Sequence, residues 1–280
     1  MPETEKPFAD WIGRQSRASD VVSERLARSY RAIFEPHLAA TEGDAAPAGI
    51  HWCLCPAIAP MAELGPDGHP AKNLDLPPVP QPRRMWAGGT IETLDMLRVG
   101  DEVTRTTTIA DITRKQGRTG ELWFVGVDHE YSTARGIAIR ERRDIVYREA
   151  AKPGAAVPAP EAAAQRPAAM SWTVATSPVF LFRYSAITFN GHRIHYDYPY
   201  ATGVEGYDGL VVHGPIQATL LLNLAAAAGS RIPRRFQYRG LAPAFAGGDL
   251  LVCRSAEDTD AYWIQGASGR VHMDARAVEP

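Results

Sequence analysis

Alternating hydrophobic and polar positions in the first half of the chain predict an antiparallel meander. Residues 102–112, 121–132 and 136–147 are rich in β-branched and aromatic side chains, and residues 90–96 are a weaker strand candidate. The loop at 115–120 carries glycines at positions that suit a hairpin turn. Consecutive strands joined by short turns pair with each other, so we expect a single antiparallel layer here.

Two stretches have the periodicity of helices. Residues 8–34 repeat hydrophobic side chains at near-helical intervals, and Ser19-Asp20 is a point at which a second helix could start. Residues 216–228 (IQATLLLNLAAAA) are apolar on nearly every side, which predicts a helix enclosed by a curved sheet. Residues 50–58, between the first helix and the meander, are predicted as a strand.

The second half of the chain predicts another set of strands, at residues 171–188, 233–241, 250–256, 261–266 and 269–277. In the first of these, the run at 179–188 (VFLFRYSAIT) is predicted as a strand because it is rich in β-branched and aromatic residues. Helix followed by meander therefore occurs twice. The two halves show no clear repeat at the residue level.

Proline-rich composition marks two segments without regular structure. Residues 56–84 are dense in proline and predict an irregular excursion over the surface, and residues 150–167 are mostly proline and alanine, as in a linker. We therefore expect an N-terminal domain at 1–150, a linker at 151–168 and a C-terminal domain at 169–280.

Composition limits the classes of function. The chain has 280 residues, 45% of them hydrophobic, which is enough for a substantial core. A formal net charge of −2 gives no electrostatic case for a nucleic acid partner. The three cysteines form neither a disulfide framework nor a zinc motif, and we expect neither a signal peptide nor a membrane span. A reducing cytoplasm is the expected location.

Chemistry-bearing residues concentrate between residues 184 and 216. Three histidines lie there, and His195 follows Asn190 by five residues, just after the turn signal Phe189-Asn190-Gly191. Asp197 precedes a proline-containing first turn and is expected to cap a helix. The glycine-rich passage ahead of the apolar helix places backbone N–H groups near this point, so we expect a binding or catalytic site.

The segment FNGHRIHYD resembles the hydratase motif of the MaoC-like hotdog enzymes. In that motif an Asp, and a His five residues later, both reach the reacting carbons of an enoyl thioester. Here Asn190 stands where those enzymes keep Asp, and His192 and Arg193 replace the usual Asn and Pro. With the di-arginine, Trp and Gly-Gly segment at 83–89, the motif is similar to the branch that includes mitochondrial 3-hydroxyacyl-thioester dehydratase and bacterial mesaconyl-C4-CoA (3-methylfumaryl-CoA) hydratase.

The resemblance covers almost the whole chain and implies an α+β fold, the double hotdog. This fold has two curved antiparallel sheets, each wrapped on a central helix. The C-terminal half would carry the hydratase motif, and the N-terminal half would be the partner that helps form the substrate tunnel. The chain would be a monomer with an internal pseudo-dimer, or a homodimer.

The resemblance and the residue chemistry together predict three catalytic residues. His195 has the ordinary pKa suited to proton transfer at neutral pH and would activate water. Asn190 does not titrate and would orient the same water. The Gly214 amide, at the start of the apolar helix, would stabilise the negative charge that develops on the thioester oxygen.

Five further residues are expected to bind substrate. Arg83 or Arg84, beside Trp86, would hold an anionic group, because an arginine fork matches a carboxylate. Arg193 would face solvent or the coenzyme A phosphates, and His213 would orient the loop. His192 sits in the turn and could face solvent. A metal site of His192, His195, His213 and Asp197 is conceivable by residue type but is not favoured, because metal ligands usually have a more regular spacing.

The predicted function is hydration or dehydration of an α,β-unsaturated acyl-CoA thioester, with conversion of mesaconyl-C4-CoA to citramalyl-CoA as the best candidate. The alternatives are a 3-hydroxyacyl-thioester dehydratase for other chain lengths, or a non-catalytic acyl-CoA-binding module. No metal or redox cofactor is implied, because coenzyme A belongs to the substrate.

Overall fold

Ten strands form one antiparallel sheet in the computed structural model, which describes residues 7–117, 120–149 and 166–278. The strands are β1 (Gln15–Val21), β2 (Arg83–Thr93), β3 (Glu102–Gly117), β4 (Gly120–Thr133), β5 (Gly136–Arg148), β6 (Ala168–Ala175), β7 (Arg235–Gly240), β8 (Asp249–Ser255), β9 (Ala261–Gly266) and β10 (Val271–Val278). Their order across the sheet is β1-β3-β4-β5-β2-β7-β10-β9-β8-β6.

The two halves of the sheet have the same strand order when each is read from its outer edge to the centre. From one edge the order is β1-β3-β4-β5-β2, and from the other edge it is β6-β8-β9-β10-β7. The halves meet where β2 pairs with β7. Gly89 lies at this join, and a Cβ there would come within 2.5 Å of the Tyr238 hydroxyl, so only glycine allows the approach. The predicted duplication of elements is therefore confirmed, and the halves join in one continuous sheet.

In the described residues four α-helices lie between the strands: α1 (Glu24–Phe34), α2 (Pro178–Thr188), α3 (Tyr198–Gly203) and α4 (Gly214–Gly229). The predicted apolar helix is α4, which contacts all five strands of the second half. Eleven of its residues are buried. At the equivalent place in the first half, between β1 and β2, the chain forms α1 and a short 3-10 turn, Ile50–Cys53.

The strand predicted at 179–188 is wrong, because this segment is helix α2. Ser177 caps it by accepting the Phe180 N–H at 3.1 Å, and Pro178 occupies its first turn. Leu181, Tyr184 and Ser185 are buried at helical spacing. The β-rich composition was overridden by this start signal and by packing against α1.

Two predictions in the N-terminal half are also wrong. Residues 8–34 are not one helical region: a 3-10 turn ends at Gly13, whose φ is +84°, and β1 then pairs with β3. The helix α1 begins only after Ser23. Residues 50–58 do not form a strand, because Gly49 and Cys55 both have positive φ and turn the chain at either end of the short 3-10 helix.

The remaining predictions concern the segments between elements. Residues 56–82 are irregular as predicted, apart from a 3-10 turn at Met61–Glu63. Residues 151–165 of the predicted linker lie outside the described residues, so the domain boundaries stay a prediction. None of the described helices is long and apolar enough to cross a membrane.

Candidate active site

The motif predicted from the sequence forms a tight loop between α2 and α3. Phe189 ends α2 in the left-handed region at φ 50°, and the Asn190 Oδ1 atom then accepts the His192 N–H at 3.0 Å. A 3-10 turn follows at Arg193–His195. Asp197 caps α3 by accepting the Tyr200 N–H at 3.1 Å, which confirms its predicted role. The oxygen that was predicted to hold water thus also shapes the loop.

His195 is fixed with one ring nitrogen available for chemistry. Its Nδ1–H donates to the Val211 carbonyl oxygen at 2.7 Å, and because a carbonyl only accepts, Nδ1 carries the proton. Among the described residues Nε2 has no hydrogen-bond partner. Burial, followed by the nearby charge of His192, lowers the pKa of His195 to about 3, against the hydrogen bond to Val211. A neutral imidazole with a free Nε2 can act as a base.

His213 packs directly on His195 and precedes α4. The two rings stack with centroids 3.5 Å apart, and His213 Nε2 shares a hydrogen bond of 2.9 Å with the Ser185 hydroxyl of α2. Burial and the charges of His195 and His192 hold the pKa of His213 well below its usual value. His213 is therefore a neutral support for the His195 ring, in line with its predicted orienting role.

Gly214, the first residue of α4, lies against Trp86 of the N-terminal half. A Cβ on Gly214 would come within 2.2 Å of the indole ring, so this contact requires glycine. Trp86 is held in turn by stacking on Tyr238 at 4.5 Å and by an edge contact with Trp52 at 5.9 Å. An aromatic wall from both halves therefore stands beside the helix N-terminus, where backbone N–H groups have no partner within the helix.

A cluster next to His195 was not expected from the sequence. His192 is buried, and its ring centroid lies 5.4 Å from that of His195 and 4.1 Å from that of His69. His69 Nδ1 and Asp67 Oδ2 share a hydrogen bond of 2.9 Å. On the other side, His192 Nε2 lies 3.8 Å from Glu205 Oε1. The prediction that His192 faces solvent is wrong, because the irregular segment covers it.

The irregular segment of the N-terminal half is docked firmly on the motif loop. The Arg193 N–H donates to the Asp67 carbonyl oxygen at 2.9 Å, and the Arg193 Nη1 group donates to the Pro66 carbonyl oxygen at 3.0 Å. Gly68 and Gly191 meet so closely that a Cβ on either would clash with the other's carbonyl oxygen. The cluster is therefore composite, with Asp67 and His69 from one half and His192 from the other.

Two predicted substrate-binding arginines are already engaged with carboxylates. Arg83 is buried and its Nε donates to Glu205 Oε2 at 3.0 Å. Arg193 pairs with Asp197 at 2.8 Å and lies over the Tyr200 ring. Both arginines therefore hold the loop and α3 in place.

Arg84 is the predicted arginine for which no carboxylate partner is found in the described part of the chain. Its side chain is hydrogen-bonded to that of Tyr147. Its position is next to the cluster, since burial and then the charge of Arg84 hold the pKa of His69 well below its usual value, against the hydrogen bond from Asp67.

The cluster also has the composition of a metal site. Ligand atoms of Asp67, His69 and His192 lie within 4.8 Å of one another, the one such group in the described ranges. The contacts within this group are nevertheless accounted for by the Asp67–His69 hydrogen bond and by Glu205, which lies between His192 and Arg83. The absence of a metal stays a prediction.

The sequence found the residues of one loop and missed those brought to it by folding. Asn190, His195, His213 and Gly214 were all singled out, and the structure places His195 and His213 in direct contact. Asp67, His69, Ser185 and Glu205 were not. The one local feature that could have pointed to Asp67 and His69 is the tripeptide Asp67-Gly68-His69, two polar residues flanking a glycine inside a proline-rich segment.

Comparison with known proteins gives matches along most of the chain. The family model of hydroxyacyl-thioester dehydratase type 2 matches residues 49–246. The mesaconyl-C(4)-CoA hydratase of Chloroflexus aurantiacus is 44% identical over 272 residues, which cover 95% of each chain.

Solved structures show the fold. A MaoC-like dehydratase has a TM-score of 0.70 at 14% identity, covering 96% of this chain and 98% of that one. A Mycobacterium tuberculosis protein described as a double hotdog fold has a TM-score of 0.58 at 14% identity, covering 95% and 94%. The predicted α+β double hotdog is therefore confirmed. By the extent of the family match and of the 44% identity, the chain belongs to the hydroxyacyl-thioester dehydratase type 2 family.

Proposed function

We propose that the protein is a hydro-lyase that adds water reversibly to an α,β-unsaturated acyl-CoA thioester. The observation that carries this proposal is the state of His195, a buried neutral imidazole whose Nδ1–H is fixed on Val211. That arrangement leaves Nε2 as a base beside the N-terminus of α4. Family membership and the hydratase named among its relatives point to the same reaction.

Each site residue has a role in this reaction. His195 takes a proton from water as the oxygen attacks the β carbon. Negative charge then develops on the thioester oxygen, where the Gly214 N–H and the positive end of α4 stabilise it. Asn190 holds the loop through the His192 N–H and offers its NH₂ group to the water or the substrate. Trp86 provides a flat wall along the acyl group.

The proposed substrate is mesaconyl-C4-CoA, which carries a free carboxylate. The relative that is 44% identical over nearly its whole length is named for this substrate. A buried carboxylate needs a cationic partner. Arg84 is the candidate, because Arg83 and Arg193 are committed to Glu205 and Asp197.

The reaction as proposed uses a base and oxyanion donors from the protein, and coenzyme A enters as part of the substrate, so we propose no metal or redox cofactor. We place the enzyme in the cytoplasm, in keeping with its three free, buried cysteines. The β2–β7 join makes the chain an internal pseudo-dimer.

A panel of CoA esters tests the substrate. Loss of enoyl-thioester absorbance should be fastest with mesaconyl-C4-CoA and slower with crotonyl-CoA, which lacks the second carboxylate. A preference for longer 2-enoyl-CoA esters would instead assign the dehydratase activity for which the family is named. Binding of acyl-CoA without turnover of any ester would favour a non-catalytic binding module.

Replacing Arg84 tests the carboxylate contact. Arg84→Met should lower kcat/KM for mesaconyl-C4-CoA by about 30-fold or more, since losing one partner of a buried charge pair costs about 2–5 kcal/mol. Crotonyl-CoA should lose much less. Arg193→Met is the matched control and should affect both esters equally, because Arg193 pairs with Asp197. Equal losses with Arg84→Met would assign Arg84 to the fold or to coenzyme A.

A further inference from the structure

Hydration includes a second proton transfer, to the α carbon of the substrate. Another imidazole besides His195 lies close enough to the site to take part in it. Hydration delivers one proton to the α carbon after the water has lost one. Asn190 cannot supply it, because an amide does not titrate. His192 stands beside His195, its ring nearly perpendicular at 88° and the centroids 5.4 Å apart.

We propose that His192 is the second proton-transfer group, the acid that protonates the α carbon, and that the Asp67–His69 pair is its positioning element. This inference rests on the proposed hydration reaction. It deepens that reaction by making the site composite, because His192 and His195 come from the motif loop whereas Asp67 and His69 come from the irregular segment of the N-terminal half.

Two carboxylates lie close to the His192 ring. Glu205 Oε1 lies 3.8 Å from His192 Nε2, and Asp67 is hydrogen-bonded to His69, whose ring is tilted against that of His192. Carboxylate oxygens accept hydrogen bonds from imidazole N–H groups and so orient the rings. The pKa of Glu205 is below its usual value: burial raises it, and the neighbouring His192 and Arg83 groups outweigh burial.

His213 is the other imidazole near His195, and its contacts exclude it. Its Nε2 is bonded to the Ser185 hydroxyl, and its ring lies flat on His195 at 3.5 Å with no carboxylate beside it. The two histidines touching His195 therefore differ in kind: His213 is a neutral support, and His192 faces two acids.

The protons taken up and released in this step balance. His195 Nε2 accepts a proton from water while the oxygen bonds to the β carbon, and the C=C electrons shift to the α carbon and the thioester oxygen. The protonated His192 ring gives its proton to the α carbon, and the thioester carbonyl reforms. His195 is then protonated and His192 neutral, and a proton moves from His195 to His192, through solvent, to restore the starting state.

Several charged or titratable groups surround His192. They are Asp67 and His69 of the irregular segment, Glu205 after α3, Arg83 and Arg84 of β2, and His195 and Arg193 of its own loop. Loss of a proton donor slows the chemical step without weakening substrate binding, so a low kcat at an unchanged KM is the signature of His192.

The experiment compares kcat and KM for His192→Gln, Asp67→Asn and the wild-type protein. Glutamine keeps a polar side chain but cannot act as an acid, so His192→Gln should lose about 100-fold or more in kcat, with KM changed by less than about threefold. Asp67→Asn should lose about three- to tenfold in kcat, again at little change in KM, because the carboxylate that holds His69 against His192 is replaced by an amide.

A control accompanies these variants. His37→Gln replaces a half-buried histidine that packs on Trp172, away from the cluster, and should behave as wild type. A folded His192→Gln protein with near-normal kcat would overturn the inference, as would an Asp67→Asn kcat identical to that of wild type if His192→Gln fails to fold. A wild-type protein that hydrates no enoyl-CoA would instead overturn the proposed function.

Discussion

At the residue scale, the departure of this motif from the MaoC-like pattern has a structural explanation. Asn190 and His192 differ together from the Asp and Asn of that pattern. The structure shows that they are coupled, because the Asn190 Oδ1 atom accepts the backbone N–H of His192 at 3.0 Å. The imidazole at position 192 is thus carried by the same turn as the amide at position 190. The sequence displayed both changes but did not reveal the burial of His192.

Asn190→Asp tests this division of labour. An aspartate accepts the same N–H, so the loop should keep its shape and the thermal unfolding temperature should change little. We expect kcat within about tenfold of wild type, since the general acid and base, each worth about 100-fold or more, are retained. Complete loss of activity in a folded protein would show that the NH₂ group of Asn190 is essential to the chemistry.

The residues that were missed share one physical cause. Asp67, His69 and Glu205 reach His192 from segments that are distant or separate in the sequence, and backbone contacts such as Arg193 N–H to Asp67 O bring them there. Local patterns predict neighbours along a helix or strand, but not the docking of an irregular loop. The motif loop itself was predictable because its residues lie within a few positions of one another.

At the element scale, the outcome depended on how strong the local signals were. The helix α4 is apolar on every side, and it was predicted almost to its ends. The helix α2 has the composition of a strand, and its cap, Ser177, and Pro178 were the contrary evidence. β1 is a polar edge strand that exists through its pairing with β3, which no local pattern reveals.

The contact between α4 and β2 requires glycine at position 214, and this requirement can be tested. Gly214→Ala places a Cβ within 2.2 Å of the Trp86 ring, which Tyr238 and Trp52 hold in place. We expect a loss of about 1–3 kcal/mol in the free energy of unfolding, as for other overpacked sites. Activity should fall about tenfold or more as the helix N-terminus moves, since small misplacements cost that much.

Two controls accompany this change. Gly229→Ala adds a methyl group to the last residue of the same helix, where nothing lies within 4 Å, and should leave activity and unfolding unchanged. In a Trp86→Ala background, Gly214→Ala should lose most of its effect on stability. An equal effect in both backgrounds, measured by urea unfolding, would show that the indole is not the obstacle.

At the scale of the whole molecule, two similar halves have taken different roles. The strand order is the same in each, yet only the second has a long central helix with the motif loop beside it. The first contributes the aromatic wall and the segment with Asp67 and His69. The duplication was predictable from the order of elements, whereas this division of roles was not, because it depends on contacts across the β2–β7 join.

Burial of neutral histidines should make the fold sensitive to acid. Burial is the largest cause that lowers the pKa of His51 to about 4 and that of His195 to about 3, and that holds those of His129 and His213 well below the usual value. Between about pH 6.5 and these values the unfolded chain binds protons that the folded chain does not. The free energy of unfolding should therefore fall as the pH falls through this window.

Urea unfolding at pH 7.5 and pH 5.5 measures this effect. We expect a lower free energy of unfolding at pH 5.5, by about 1 kcal/mol for each such histidine. His51→Gln should reduce the difference between the two conditions, because one titrating group is removed. Equal stability at both pH values would contradict the buried neutral state of these histidines.

The central claim is that His195 acts as the base in a hydration reaction. The most direct test follows enoyl-thioester absorbance for mesaconyl-C4-CoA with the wild-type protein and with His195→Ala, after circular dichroism has shown that both are folded. The account predicts hydration by the wild type and a kcat about 100-fold or more lower for the variant. Hydration by His195→Ala within a few-fold of the wild-type rate would contradict it.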